Sequence, residues 1–191
     1  MAILFLGLAL FILVHLMPVF ATGVRAKLVD KLGFMPYRGI FSLLIIASIY
    51  IIYLGWTGTE VTWLYTPPAW GYHVTPLLVL IGFILFFSSK APTNIRRVIR
   101  HPQLTGVTFW AVGHLLANGE NRSVLLFGAL LIWATVSAIG ANRRDEEWVK
   151  PPRQVFIKDI VTILIGVAAF VGFAMIHEWL IGVNPMPFMM G

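Results

Sequence analysis

Six long apolar runs restrict this chain to a membrane fold. Each run is close to the roughly 20 residues that cross about 30 Å of hydrocarbon, or somewhat shorter. None shows the alternation of apolar and polar residues that membrane β-strands need, which leaves helices as the only spanning structure. The sequence therefore predicts an all-α, polytopic membrane helix bundle with about six transmembrane helices. The predicted spans are residues 2–20, 39–56, 73–87, 104–118, 123–141 and 160–181.

Composition excludes the main soluble classes. Hydrophobic residues make up 59% of the 191 residues and charged residues only 12%, whereas a soluble domain of this size needs far more polar surface. Disorder, a coiled coil and a soluble two-domain enzyme are therefore not expected. Cysteine is absent, which excludes disulfides and thiolate metal sites. Because the connections are short and no repeat is evident, we predict a single transmembrane domain over residues 1–191.

The basic residues indicate how the spans are oriented. Thirteen of the 14 lysines and arginines lie in the first, third and fifth connections, and Arg122 is the exception. This asymmetry predicts that those three connections are cytoplasmic and that both termini lie outside. The first span carries its positive charge after the apolar stretch, so we expect a retained helix rather than a cleaved signal. The net charge of +6 fits orientation and contact with lipid headgroups, and no nucleic-acid partner is expected.

Three of the five histidines, His15, His114 and His177, fall within or near the end of an apolar span. Ionisable residues inside a bilayer are rare and usually functional. Neutral imidazoles with aromatic and small neighbours suit a haem iron or another transition metal. The alternative is structural, because such a histidine can also hydrogen-bond to a neighbouring helix. Glycines on the same three helices would let a flat macrocycle approach the backbone; they are Gly7, Gly113 and Gly172.

A second polar group precedes and follows the fourth span. Arg100 and His101 stand directly before Pro102, which suits the first position of a helix, and the N–H groups of a first helical turn favour an anion. Asn118 ends the same span and lies on the same helix face as His114, four residues earlier. This group could bind a phosphate, an adenosyl cofactor or a haem propionate. The alternative is a solvated rim of mixed charge.

The string RHPQLTGVTFWAVGHLLANG, residues 100–119, resembles the NnrU family, which includes the zeta-carotene isomerases of plants and cyanobacteria. The resemblance covers nearly the whole chain, with a histidine in the first span and another late in the last. It implies a multi-pass protein of the bacterial inner membrane. Bacterial members are associated with denitrification, through nitrite and nitric oxide reduction.

The isomerase members bind haem b and convert a central polyene bond from cis to trans. The resemblance thus implies haem b, with His15 and His114 as its axial ligands. Their unequal depth makes His177 a substitute ligand, because at ~1.5 Å per residue it lies nearer the depth of His114. The cofactor-binding candidates are His15, His114, His177, Arg100, His101 and Asn118. Catalytic residues are not assigned, and whether the chain is an enzyme is left open; a haem-dependent cis–trans isomerase is the favoured class.

A more distant resemblance links RHPxxxG and the pair Glu146-Glu147 to the isoprenylcysteine and phospholipid methyltransferases. That resemblance implies S-adenosylmethionine as a less favoured cofactor. A scaffold without a cofactor is the remaining alternative. The expected partners are membrane lipid, a polyene or other apolar small molecule, a second copy of the chain, and respiratory proteins.

Overall fold

The computed structural model describes residues 1–185, and all of its regular structure is helical. Within those residues there are seven α-helices, one 3-10 turn at Asn94–Arg97 and no β-strand beyond an isolated bridge between Trp63 and Glu120. The helices are α1 (Ala2–Phe20), α2 (Thr22–Leu32), α3 (Phe34–Thr57), α4 (Gly71–Ser88), α5 (Pro102–Ala117), α6 (Asn121–Asp145) and α7 (Phe156–Ile181). The predicted helical class is confirmed. Residues 186–191, the end of the predicted domain, lie outside the described residues.

Five of the seven helices are long and apolar enough to cross a membrane: α1, α3, α4, α6 and α7. They coincide with five of the six predicted spans, so the chain is a multi-pass membrane protein. Its many exposed leucine, isoleucine and phenylalanine side chains are in contact with lipid, because water would not tolerate so large an apolar surface. The predicted fourth span is the helix α5, whose 16 residues make it the shortest of the six.

The helices differ from the sequence prediction in two respects. Residues 22–32 form the helix α2, which the prediction treated as part of a connection. This segment is polar on average, so the search for apolar runs passed over it, although its residues are mostly good helix formers. Several spans also extend past their apolar cores, because a helix continues through the interface wherever its polar residues can reach water. The third helix, for example, begins at Phe34 rather than Gly39.

The helices divide into two compact units. The first contains Met1–Leu64 and Glu120–Glu146, and in it α1 packs against α3 and α6. Close approach of α1 and α3 depends on glycine: a Cβ at Gly55 would lie 2.3 Å from the backbone nitrogen of Leu4. Leu4 and Leu8 are consequently among the most buried side chains in the protein.

The second unit contains Tyr65–Gly119 and, of the described residues, 147–185, and in it α4 packs against α5 and α7. The helices α4 and α5 touch at a pair of glycines, where a Cβ on Gly82 would lie 2.8 Å from the carbonyl oxygen of Gly106. Gly166 gives α7 the same close approach to Ile84 of α4. Small residues therefore set both interfaces, as is typical of membrane helices.

Candidate functional site

His15 lies in an aromatic cage within the first unit. Its ring centroid is 4.1 Å from that of Phe11, one turn earlier on α1, and 5.1 Å from that of Trp133 on α6. Phe41 on α3 completes the cage at 5.9 Å. Three helices therefore hold this imidazole in one orientation.

Two polar side chains of α6, one of them in the His15 cage, are buried without a hydrogen-bond partner among the described residues. Trp133 is 7% exposed and Ser137, one turn later on α6, is 3% exposed. Neither the indole N–H of Trp133 nor the hydroxyl of Ser137 has a partner among the residues that the structure describes. Buried polar groups are normally satisfied. The orphaned N–H belongs to a ring that contacts His15, and a bound ligand would explain it.

His114, the second predicted ligand, lies in the second unit. It lies near the end of α5, half-buried, and its ring centroid is 5.0 Å from that of Trp110. Asn118 caps the helix: its side-chain amide donates to the carbonyl oxygen of His114 at 2.9 Å. Asn118, predicted as a cofactor-binding residue, therefore caps the end of α5 next to His114.

His177 lies near the end of α7, and the chain turns back directly after it. Gly182 adopts φ +76°, which a residue with a side chain rarely tolerates, and thereby ends the helix. The turn brings the carbonyl oxygen of Val183 to 2.7 Å from Nδ1 of His177. His177 belongs to the same unit as His114. The second unit thus contains both His114 and its predicted substitute.

The three membrane histidines share one hydrogen-bonding arrangement. In His15, Nδ1 lies 2.9 Å from the carbonyl oxygen of Phe11, and in His114 it lies 2.8 Å from that of Trp110. In His177 it lies 2.7 Å from the carbonyl oxygen of Val183. A carbonyl oxygen only accepts hydrogen bonds, so Nδ1 must carry the proton in each neutral ring. The lone pair is then on Nε2. Histidines that bind metals are usually oriented in this way, with the other ring nitrogen donating to a carbonyl or carboxylate.

The glycines on these helices separate into two kinds. A Cβ on Gly7 would lie 2.7 Å from the backbone nitrogen of Ile52, and one on Gly113 would lie 3.3 Å from Cβ of Leu78. Both glycines therefore serve helix packing rather than the approach of a macrocycle. Gly172 on α7 has no atom within 4 Å of that position, so of the three predicted glycines it alone leaves open space.

The predicted rim lies at the start of α5, in the second unit. Pro102 occupies the first turn, as predicted, and the carbonyl oxygen of His101 accepts from the backbone N–H and the hydroxyl of Thr105, both at 3.0 Å. Arg100 donates to the backbone carbonyl of Glu147 at 3.5 Å. The contact is with the main chain of Glu147 rather than with its carboxylate.

A buried carboxylate organises the same rim, and sequence reasoning missed it. Asp159, 6% exposed at the start of α7, accepts from the backbone N–H and the side-chain amide of Asn94, each at 2.6 Å, and from the Thr93 hydroxyl. An acidic residue at the start of an apolar run was the only sequence signal for it. An open cleft of about 580 Å³ adjoins this contact, lined by Asn94, Arg97, Val98, Arg153, Gln154, Phe156 and Asp159.

The aromatic neighbours of His15 were also missed. Phe41 and Trp133 come from the predicted second and fifth spans, where nothing in the sequence distinguishes them from other lipid-facing aromatics. Phe11 was within reach of prediction, because it lies one turn from His15 on the same helix face.

Comparison with known proteins supplies the family. No curated protein and no solved structure matches the chain. A family model described as NnrU protein matches residues 3–185, which is almost the entire sequence and includes His15, His114 and His177. The chain is therefore a member of the NnrU family.

Proposed function

We propose that this protein binds haem b through its membrane histidines and in that form supports nitrite and nitric oxide reduction in a bacterial inner membrane. The observation that carries the proposal is the shared arrangement of His15, His114 and His177. In each, Nδ1 donates to a backbone carbonyl, which puts the lone pair on Nε2, as in histidines that bind metals through that nitrogen.

The residues fit this cofactor in chemistry. Each unit offers one or two neutral imidazoles, which suits a metal whose other ligands come from a macrocycle. The aromatic cage of His15 offers flat apolar contacts, and the orphaned Trp133 N–H is a donor for a polar group on the ligand. A bound haem b supplies reversible one-electron chemistry at its iron. The protein's contribution is to orient the imidazoles, exclude water and hold the ring tautomers.

The candidate ligands are His15 in the first unit and His114 and His177 in the second. The family resemblance favours His15 with His114. The presence of both His114 and His177 in the second unit favours those two. His114 is common to both alternatives, so we expect its removal to have the largest effect.

We also propose that all six predicted spans cross the membrane, including the short helix α5. Tyr65, before α4, donates its backbone N–H to the carbonyl oxygen of Gly119, after α5, at 3.3 Å. This contact supports a crossing by α5, because it joins the chain before α4 to the chain after α5 and α4 is itself a candidate span. With thirteen bases in alternate connections, the positive-inside rule then places both termini outside.

Cis–trans isomerisation of a polyene is a second candidate function, and one observation favours it. An aromatic series leads from α4 to His177: the Phe83 centroid is 5.9 Å from that of Phe173, which is 5.9 Å from that of His177. Phe170 extends the series at 6.1 Å from Phe83. Such a surface suits a long apolar molecule next to an imidazole.

An optical spectrum of the detergent-purified protein, oxidised and then reduced with dithionite, tests the main proposal. We expect a Soret band with sharp α and β bands on reduction, and a pyridine haemochrome assay that reports haem b. His114→Ala should lose the low-spin spectrum, and His15→Ala and His177→Ala should show which one supplies the second ligand. His73→Ala removes a histidine that is not among the candidate ligands and is the matched control. A preparation that stays colourless after haem supplementation would overturn the proposal.

A further inference from the structure

A cationic cleft in the first unit adjoins the cage of His15. It has a volume of about 350 Å³ and opens to the surface. It is lined by Pro18, Arg25, Tyr37, Arg38, Phe41 and Ser42. These residues come from the end of α1, from α2 and from the start of α3, where the chain leaves its apolar spans.

Phe41 belongs to both the cleft and the cage. Its ring centroid is 5.9 Å from that of His15 and 6.2 Å from that of Tyr37. Along α1, His15 precedes Pro18 of the cleft by three residues, a rise of ~4.5 Å. The imidazole and the cleft are therefore parts of one continuous surface within the first unit.

The cleft is suited to an anion. Two of its lining residues are arginines, two carry hydroxyl groups and none is acidic. The guanidinium of Arg25 lies 5.8 Å from the centroid of the Tyr37 ring, and that of Arg38 lies 5.5 Å from the centroid of the Phe34 ring. A guanidinium that stacks on a ring keeps its N–H edges for a carboxylate, which arginine binds in a bidentate manner.

We propose that Arg25 and Arg38 bind the carboxylates of the ligand whose metal His15 coordinates, namely the two propionates of haem b. This inference rests on the proposed function. An apolar macrocycle fits the aromatic cage, whereas a carboxylate is too costly to leave in hydrocarbon without a cationic partner. The cleft supplies that partner at the membrane-boundary end of α1.

The test compares haem b with its dimethyl ester, which has the same macrocycle but no free carboxylate. Haem-depleted full-length protein is titrated with each compound, and the Soret change gives the affinity. We expect the wild type to bind haem b about tenfold more tightly than the ester or better, because charge-assisted hydrogen bonds are lost with the ester. The double variant Arg25→Gln/Arg38→Gln should bind the two compounds equally.

Two variants control for indirect effects. Lys31→Gln removes a cation from the same connection that does not line the cleft, and it should keep the wild-type preference for haem b. Arg38→Lys retains the charge without the planar fork and should recover part of the preference. His15→Ala should lose the low-spin spectrum with either compound.

Several results of these experiments would contradict the inference or the proposed function. Equal affinity of the wild type for haem b and the ester, or an unchanged preference in the double variant, would overturn this inference and leave haem binding intact. His15→Ala with an unchanged spectrum would do the same. If phosphatidylglycerol binding falls in the double variant while the preference for haem b persists, the cleft is a lipid site and the inference is wrong. Failure of both compounds to bind would overturn the proposed function as well.

Discussion

Asp159 and Asn94 are joined by two hydrogen bonds, from the backbone N–H and from the side-chain amide of Asn94, both 2.6 Å long. The contact links the start of α7 to the 3-10 turn before α5. Asn94 also exchanges hydrogen bonds with the main chain of Gln154, at 2.9 Å in each direction. One buried carboxylate therefore determines how two connections meet at the rim.

Asp159→Asn should weaken this contact, because the amide has lost the charge and one of the two acceptor oxygens. We expect the midpoint of thermal unfolding in detergent to fall by about 5 °C or more. Asp30→Asn, an exposed acid on α2, should leave the midpoint unchanged. Equal midpoints for the two variants would mean that the contact adds nothing to stability.

Gly55→Ala should separate α1 from α3. The new Cβ would lie 2.3 Å from the Leu4 nitrogen and 2.5 Å from its Cα, both backbone atoms that cannot move aside. We expect a loss of about 1–3 kcal/mol or more, as for other overpacked sites. Gly39→Ala on the same helix meets no atom within 4 Å and should be neutral or stabilising by about 0.5–1 kcal/mol. Unfolding curves in mixed micelles measure both, and a reversed order would contradict the packing described here.

Two substitutions of Trp133 test whether its indole N–H has a hydrogen-bond partner. Trp133→Phe keeps an aromatic ring against His15 and removes a donor that has no described partner, so stability should change by less than about 1 kcal/mol. Trp133→Ala should cost about 3–5 kcal/mol, because it leaves a cavity between α1 and α6. If Trp133→Phe is as damaging as Trp133→Ala, the N–H donates to a group that the described residues do not include.

Tyr65→Phe should loosen the end of α5. The Tyr65 hydroxyl donates to the carbonyl oxygen of Leu115 and lies 2.9 Å from that of Asn118, so its removal leaves helix-end carbonyls without this donor. We expect a loss of about 1 kcal/mol in the free energy of unfolding. Tyr50→Phe, on an exposed part of α3, is the control and should behave like the wild type.

Single cysteines can measure the number of crossings, because the natural chain has none. Cysteine is introduced at Glu60, Lys90 or Arg153, all exposed, and labelled from either side with a membrane-impermeant maleimide. Six crossings predict that Lys90→Cys and Arg153→Cys react from the cytoplasm and Glu60→Cys from outside. If α5 does not cross, Lys90→Cys and Arg153→Cys will react from opposite sides.

Much of the fold was predictable because membrane insertion is a local property. The length and apolarity of a single segment decide whether it can span hydrocarbon, so the cores of α1, α3, α4, α6 and α7 could be located from sequence. The helix α2 could not be located in this way, because its eleven residues are polar on average and carry no such signal. The NnrU resemblance was also readable from residues 100–119, and the family match over residues 3–185 confirms it.

The candidate site was predictable only in part. His15, His114 and His177 stand out in sequence because a bilayer rarely contains ionisable groups, and Phe11 lies one turn from His15. The roles of Gly55 and Gly39 do not stand out, although both belong to α3: one meets the backbone of Leu4 and the other meets nothing. Only the neighbouring helix distinguishes them.

By itself, then, the sequence determined the membrane class, the helical segments and the three membrane histidines, because hydrophobicity and helical periodicity act over a few turns of one segment. The tertiary structure decided which side chains meet. It placed Trp133 against His15, Asn94 against Asp159 and two arginines around one cleft. Such contacts join residues far apart in the chain, and helix packing selects them by shape, a property that no single segment contains.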